Sequence, residues 1–359
     1  MSNSLFSPYR LGRTELANRI VMGPMTRNRS IGNLAAEIEA TYYAQRAEAG
    51  LILTGGVSPS PNGLGYARIP GLFTPAQVAA FRRVADAVHQ AGSRIFVQLM
   101  HTGRIGHPAN LPAGARLLGP SAIAAPGSMH TDTEGSQPHP TPAAMTEADI
   151  EEALAELERA AELGIEAGFD GVELHGANGY LIEQFLNTAS NQRSDRWGGS
   201  VEGRARFALE AAARVAKKIG ADRVGIRLSP YGVFNGMQPD PATDALYEHL
   251  AARLGELGLA HLHMVDHSSM GAPPVNPALK RTVRERFRGT YIASGGYDRA
   301  RAEQDLAEGR ADLFAFGRPF IANPRLVSKL QRGTPLAAPD MATFYTPGEK
   351  GFIDYPLEG

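Results

Sequence analysis

Eight short segments with the composition of β-strands recur along the chain, and most are separated by stretches with the periodicity of a helix. They are residues 20–23, 51–54, 94–100, 171–174, 224–228, 261–265, 290–293 and 313–316. Strands that alternate with helices in this way predict an α/β fold of the (β/α)8 TIM-barrel type, as one domain covering 1–359. The active site of such a barrel lies at the C-terminal ends of its strands, so we expect the residues there to meet in one pocket.

Two segments depart from this alternation. Residues 5–17 indicate a hairpin that turns at Gly12-Arg13 and closes the bottom of the barrel. Residues 102–145, between the third and fourth strands, are rich in Pro, Gly, Ala and Ser and lack helical periodicity. They are interpreted as an irregular but ordered excursion over the barrel mouth, because the strand–helix alternation resumes directly afterwards, which a linker between domains would not explain.

Capping residues predict where several helices begin. A hydroxyl followed three residues later by a side chain that reaches back, as in Thr74-Pro75-Ala76-Gln77 and Thr146-Glu147-Ala148-Asp149, is typical of a helix N-terminus. Asp240-Pro241 and Asp298 predict two further helix starts.

Composition excludes several classes of function. The chain has 36 Lys and Arg against 37 Asp and Glu, so no basic excess is present to bind nucleic acid or an anionic membrane. It has no cysteine, which excludes disulfides, thiolate nucleophiles and cysteine-ligated metal clusters. Met1–Pro8 lacks the pattern of a signal peptide, and no apolar run approaches the roughly 18 residues of a membrane span. A cytoplasmic location is the expectation.

Glycines and an arginine follow the last two strands. Gly295 and Gly296 come after the seventh strand, and Gly317 and Arg318 come after the eighth. Glycine lets backbone amides approach an anion, and these two loops form the usual phosphate site of the fold. Alternatively the glycines only turn corners and Arg318 pairs with a surface carboxylate. Their position at adjacent strand ends favours a phosphorylated cofactor or substrate.

A second polar group follows the fourth strand. His175 and Asn178 are spaced to direct two donors at one carbonyl oxygen, and Tyr180 is close enough in sequence to reach the same volume. Donors in this arrangement stabilise negative charge on oxygen, and a phenol protonates a strongly basic carbanion. The alternative is that His175 satisfies a loop carbonyl and Tyr180 packs under the excursion. The barrel position favours the catalytic interpretation.

Two residues near the ends of other strands suit a flat heterocycle. Gln98 carries an amide donor and an acceptor, and Arg227 is a fixed cation that needs an anionic partner inside a barrel. Together they suit a ring system that has imide-like edges and becomes anionic when reduced. Further histidines near strand ends form no compact metal-ligand set, so no metal is expected. They are His101, His261, His263 and His267.

Motifs along nearly the whole chain resemble the old yellow enzyme family of FMN-dependent ene-reductases. They are residues 24–27 (PMTR), 98–104 (QLMHTGR), 175–180 (HGANGY), 187–200 (NTASNQRSDRWGGS), 316–324 (FGRPFIANP) and 354–356 (DYP). No one of them is specific alone, but their order over this length is.

The resemblance implies a cofactor site and a substrate site. The residues implied for FMN are Pro24, Met25, Thr26, Gly56, Gln98, Arg227, Gly295, Gly296, Gly317 and Arg318. His175 and Asn178 would bind the activating group of the substrate, Tyr180 would be the proton donor, and Tyr66 and Tyr345 would line the mouth. The implied reaction is ping-pong: NADPH or NADH reduces FMN, and flavin N5 then gives hydride to an enone, enal, maleimide or nitroalkene.

The resemblance leaves substrate and assembly open. Met100 stands where many bacterial relatives have tryptophan, so substrate range cannot be transferred, and Thr26 replaces the cysteine of one branch. Reduction of nitrate esters or nitroaromatics in the same site is an alternative. The residues alone leave two further alternatives open. One is a phosphosugar isomerase or aldolase, and the other is a non-catalytic flavin-binding or ligand-sensing barrel. A monomer is expected, with an oligomer as the alternative.

Overall fold

A computed structural model describes residues 4–357 of the chain. Its strands are β1 (Tyr9–Leu11), β2 (Thr14–Leu16), β3 (Ile20–Met22), β4 (Leu51–Val57), β5 (Arg94–Leu99), β6 (Leu118–Gly119), β7 (Ser128–Thr131), β8 (Gly135–Pro138), β9 (Ala143–Ala144), β10 (Gly171–Gly176), β11 (Val224–Leu228), β12 (His261–Val265), β13 (Thr290–Ser294) and β14 (Leu313–Phe316). Two short ranges lie outside the described residues. They are 1–3, in the segment where the sequence predicts no signal peptide, and 358–359, at the end of the predicted domain.

Eight of these strands form a closed parallel barrel in the order β3, β4, β5, β10, β11, β12, β13, β14 and back to β3. This confirms the predicted (β/α)8 fold. Three strands are longer than predicted, among them β13, which continues by one residue to Ser294. β4 continues to Val57 through an irregularity in its pairing with β5 between Leu53 and Gly56, and β10 continues to Gly176. His175 therefore lies inside a strand, not after it.

Helices cover the outside of the barrel. They are α1 (Glu37–Ala44), α2 (Pro75–Gln90), α3 (Glu147–Glu166), α4 (Leu181–Leu186), α5 (Val201–Ile219), α6 (Thr243–Glu256), α7 (Pro277–Phe287), α8 (Arg299–Ala307), α9 (Pro319–Ala322) and α10 (Leu326–Arg332). In the described part of the chain, none of them is both long and apolar enough to cross a membrane.

The predicted helix starts are confirmed in three of four places. Thr74 and Thr146 each cap their helix with the reciprocal side-chain bond expected of a capping box, and the Asp298 carboxylate accepts from the amide of α8 three residues on. The start at Asp240-Pro241 is wrong, because α6 begins at Thr243. One oxygen of the Asp240 carboxylate accepts from the Ala242 amide at 2.8 Å and the other accepts from the guanidinium of Arg204 at 2.8 Å, so Asp240 lies in a turn ahead of the helix.

The barrel interior changes from apolar to polar along the strands. At the bottom, Leu11 and Leu16 of the hairpin β1–β2 pack in one buried cluster with strand residues such as Phe96 and Ile292. Side chains two positions apart share a face of a strand, so the next inward positions are Gln98 and Ser294. The hairpin thus closes the apolar bottom, and a polar layer lies toward the mouth.

The segment 102–145 contains more regular structure than the sequence predicted. β6 pairs with β9, and β7 pairs with β8 in an antiparallel hairpin. Met129 on β7 is buried in a small cluster against which Tyr66 and Tyr180 also pack. The β7–β8 hairpin therefore lies beside the tyrosines at the C-terminal end of the barrel.

Candidate active site

His175 is the inward-facing residue near the end of β10. Its Nδ1 accepts a hydrogen bond from the Ala177 amide at 3.3 Å, which leaves the ring proton on Nε2 as a donor. Burial, followed by the positive charge of Arg227, holds the pKa of His175 well below its ordinary value. A neutral imidazole with a free N–H is suited to polarise a carbonyl or nitro oxygen without giving up its proton.

Asn178 lies in the turn after β10 and has a left-handed backbone, with φ of 61°. The backbone N–H of Asn178 donates to the Ser229 hydroxyl at 3.0 Å, and the backbone carbonyl of Asn178 accepts from the side chain of Asn235 at 2.8 Å. Within residues 4–357, its buried Oδ1 has no hydrogen-bond partner. The backbone is thus fixed while the side-chain amide is left for a ligand.

Tyr180 completes the group that the sequence predicted. Its hydroxyl lies 3.0 Å from that of Tyr66, and its ring meets the His175 ring edge-on at 4.9 Å between centroids. Burial, reinforced by Tyr66, raises the pKa of Tyr180 well above its ordinary value. The phenol therefore stays protonated at neutral pH and gives its proton only to a strong base.

The two predicted mouth residues are placed differently. Tyr66 directly contacts Tyr180, whereas the Tyr345 side chain is 61% exposed at the rim. Arg68 donates to the Tyr345 carbonyl at 3.2 Å and forms an ion pair with Asp132 in the turn of the β7–β8 hairpin. The structure thus brings Tyr66 into the site and leaves Tyr345 at its edge.

Arg227 is an inward-facing cation on β11 that is only 9% exposed. None of the described carboxylates forms an ion pair with it, and its buried Nε has no hydrogen-bond partner among the same residues. Burial lowers the pKa of its guanidinium. A buried, unpaired guanidinium is unfavourable unless a ligand supplies acceptors, so Arg227 marks a place for an electron-rich group.

A buried carboxylate beside Gln98, its register partner on the neighbouring strand, was missed from the sequence. Glu173 on β10 accepts from Gln98 at 2.8 Å and from the imidazoles of His261 and His263 at 3.0 and 2.9 Å. Although burial opposes it, contact with the two imidazoles holds the pKa of Glu173 well below its ordinary value. Because Glu173 only accepts, it fixes the Gln98 amide so that its Nε2 faces the carboxylate. The described residues contain no cluster able to hold a metal.

The loop after β3 forms another wall of the pocket. Pro24, Met25 and Thr26 are all half-buried, and the Thr26 hydroxyl accepts from the Gly56 amide at 3.4 Å. Gly56 belongs to the irregular end of β4, and a Cβ there would clash with the Met100 side chain. A flat ligand at this wall would face Thr26 and the backbone of Gly56.

The loops after β13 and β14 lie side by side because these strands pair. Gly295 and Gly296 have φ of 117° and 65°, which favour glycine. A Cβ on Gly317 would meet nothing closer than the Met25 sulfur at 3.9 Å, so its backbone borders open space. Arg318 is exposed, and among the described residues its guanidinium contacts the Met270 sulfur at 3.2 Å and forms no ion pair. It therefore does not make the surface carboxylate pair that the alternative interpretation required.

These features fit FMN. The unpartnered guanidinium of Arg227 suits the polar edge of a flavin, and Gln98 offers an oriented amide beside it. The open backbone at Gly317 and the available Arg318 suit the phosphate.

The chain is similar to flavin oxidoreductases in sequence and in structure. Residues 4–337 match the family model described as the NADH:flavin oxidoreductase / NADH oxidase family. The chain is 43% identical to chanoclavine-I aldehyde reductase of Penicillium roqueforti, over 98% of this chain and 95% of that one. Its fold matches morphinone reductase with a TM-score of 0.95 at 41% identity, covering 99% and 96% of the two chains. The old yellow enzyme homologue from Zymomonas mobilis matches with a TM-score of 0.94 at 38% identity, covering 98% and 99%.

Proposed function

The chain belongs to the NADH:flavin oxidoreductase / NADH oxidase family, and from that premise we propose that it reduces activated C=C bonds. FMN would be the bound cofactor and a nicotinamide the reductant. The observation that carries the proposal is the convergence of His175, Asn178 and Tyr180 at the end of one strand, beside the unpaired cation of Arg227.

The chain's own residues supply binding, orientation and a proton. His175 Nε2–H and the Asn178 amide would hold the oxygen of the activating group, where negative charge accumulates as the alkene is reduced. Tyr180 would deliver its hydroxyl proton to the α-carbon, and its raised pKa, to which the contact with Tyr66 contributes, keeps that proton on the phenol until a strong base forms. Bound FMN would supply the hydride.

Cofactor binding would use both ends of the pocket. Arg227, Gln98, Thr26 and the Gly56 backbone would hold the ring, with Pro24 and Met25 against it. The phosphate would lie at Gly295, Gly296, Gly317 and Arg318.

Steady-state turnover against a panel of activated alkenes, with NADPH and NADH compared, tests the proposal. We expect oxidation of the nicotinamide that depends on an enone, enal, maleimide or nitroalkene and yields the saturated product. Product analysis distinguishes this from reduction of nitro groups or nitrate esters. Turnover of a sugar phosphate without any nicotinamide, in place of alkene reduction, would contradict it.

A further inference from the structure

Glu183 is a buried carboxylate on α4, the short helix that follows Tyr180. Its two oxygens accept hydrogen bonds from the Gly179 amide at 2.5 Å and from the Ser229 hydroxyl at 2.6 Å. The hydroxyl of Tyr247 on α6 donates a third bond at 3.3 Å. The partners of the Glu183 carboxylate are not residues proposed to bind substrate or FMN. The proposed mechanism therefore leaves Glu183 unexplained.

The carboxylate is connected to the backbone of Asn178. The Ser229 hydroxyl that donates to Glu183 also accepts the Asn178 amide at 3.0 Å. Two consecutive amides, those of Asn178 and Gly179, are therefore anchored on Glu183, one through a hydroxyl and one directly. Both residues have positive φ, 61° and 78°. A left-handed asparagine is unfavourable by itself, so surrounding contacts have to hold it in place.

We propose that Glu183 is a positioning residue, which fixes the turn 178–179 so that the Asn178 side chain and His175 point at the same ligand oxygen. This inference rests on the proposed function and adds the element that aligns its two donors. It predicts that ligand affinity depends on whether Glu183 is ionised. An ionised carboxylate accepts both bonds, whereas a protonated one turns an oxygen into a donor and competes with Gly179 or Ser229.

Ionisation of Glu183 falls within an accessible pH range. Burial raises its pKa to about 7, while Ser229, Gly179, Tyr247 and the cation of Arg227 act in the opposite direction. A cavity of about 10 Å³ adjoins Glu183, just enough for one water molecule. Its other titratable and charged lining groups are Arg204, Tyr231, Asp240 and Tyr247. Arg204 and Asp240 pair with each other, whereas Arg227, which does not line this cavity, acts on Glu183 as a cation without forming an ion pair with any described carboxylate.

Binding of cyclohex-2-enone to the oxidised holoenzyme tests the inference, because no turnover occurs and this ligand does not titrate. The readout is the change in flavin absorption, followed from about pH 6 to about pH 8. We expect the wild-type affinity to fall several-fold as the pH is lowered. In Glu183→Gln the affinity should be about tenfold weaker than in wild type at the higher pH and should no longer depend on pH.

Glu156 on α3 offers a matched control. Burial raises the pKa of this carboxyl to about 7 as well, and it bonds to Ser60 rather than to the turn after β10. Glu156→Gln should therefore keep the wild-type affinity and its pH dependence. Wild-type binding and pH dependence in Glu183→Gln would overturn the inference while leaving the proposed function intact. A wild-type holoenzyme that neither binds nor reduces the enone would overturn the proposed function itself.

A second variant keeps the test decisive if Glu183→Gln does not fold. Ser229→Ala removes only the hydroxyl between the carboxylate and the Asn178 amide. We expect it to fold, to bind FMN and to bind cyclohex-2-enone at least threefold more weakly, as for one lost hydrogen bond. Unchanged affinity in Ser229→Ala would contradict the positioning role.

Discussion

Replacing Tyr180 by Phe removes one oxygen atom and tests the proton-donor role most specifically. The Tyr180 hydroxyl bonds to Tyr66 at 3.0 Å, and its ring packs against His175 and the small cluster under the β7–β8 hairpin. Phenylalanine keeps those ring contacts. The His175 and Asn178 donors do not depend on the Tyr180 hydroxyl, so ligand binding should survive the change.

The expected magnitude follows from the two functions of that hydroxyl. Loss of a general acid lowers the rate of a proton-transfer step by about 100-fold to 10,000-fold. Loss of the bond to Tyr66 destabilises the fold by only about 1 kcal/mol, because the Tyr66 side chain is partly accessible to water. Since the pKa of Tyr180 is raised, the wild-type rate with saturating alkene should stay constant from about pH 8 to about pH 10.

Stopped-flow measurement of the two half-reactions separates these effects. Flavin reduction by NADPH should proceed in Tyr180→Phe within about threefold of wild type, while reoxidation by cyclohex-2-enone should slow at least 100-fold. Tyr66→Phe is the matched control, because it breaks the same hydrogen bond but leaves the proton on Tyr180. Equal slowing of both half-reactions in Tyr180→Phe, or reoxidation as fast as in Tyr66→Phe, would refute the assignment.

Four further changes test other parts of the site. His175→Ala should weaken binding of a phenol about tenfold or more, measured by flavin absorption, and unchanged affinity would reject its anchoring role. Arg227→Met should weaken FMN binding yet raise the melting temperature of the apoprotein, because an unpaired buried charge is removed; a lower apoprotein melting temperature would contradict this. Arg318→Ala should weaken FMN but not riboflavin in fluorescence titrations, and equal losses would place the phosphate elsewhere. Glu156→Gln should raise the melting temperature near pH 8 and leave it unchanged near pH 4, because a carboxyl with a raised pKa destabilises the fold only when ionised; a pH-independent effect would contradict the burial argument.

The barrel was predictable because its signals are local. Strand segments such as 224–228 and 261–265 end at the predicted residues, and Thr74 and Thr146 cap their helices as expected. Asp240 misled the prediction because its carboxylate accepts from the Ala242 amide in a turn ahead of α6 and is held there by Arg204, 36 residues earlier. Pairings at such distances depend on the folded chain, and residue preference alone does not reveal them.

The site residues were predicted from their place at strand ends, and their environments were not. Glu173 carries a signal that was overlooked, since it lies two residues before His175 and therefore shares its inward face. Glu183 carries no comparable signal. It lies on a short helix that would be assigned to packing, and its importance comes from Ser229, 46 residues away. Residues that share a face of one strand can be identified from their spacing in the sequence. Contacts between loops that are far apart in the sequence are seen only in the folded structure.

Anaerobic absorption spectroscopy of the protein with FMN tests the central claim most directly. The account predicts that the apoprotein binds one FMN per chain, that NADPH or NADH bleaches the bound flavin, and that cyclohex-2-enone restores its colour with formation of cyclohexanone. A protein that leaves FMN free in solution, or a bleached complex that cyclohex-2-enone fails to reoxidise, would contradict it.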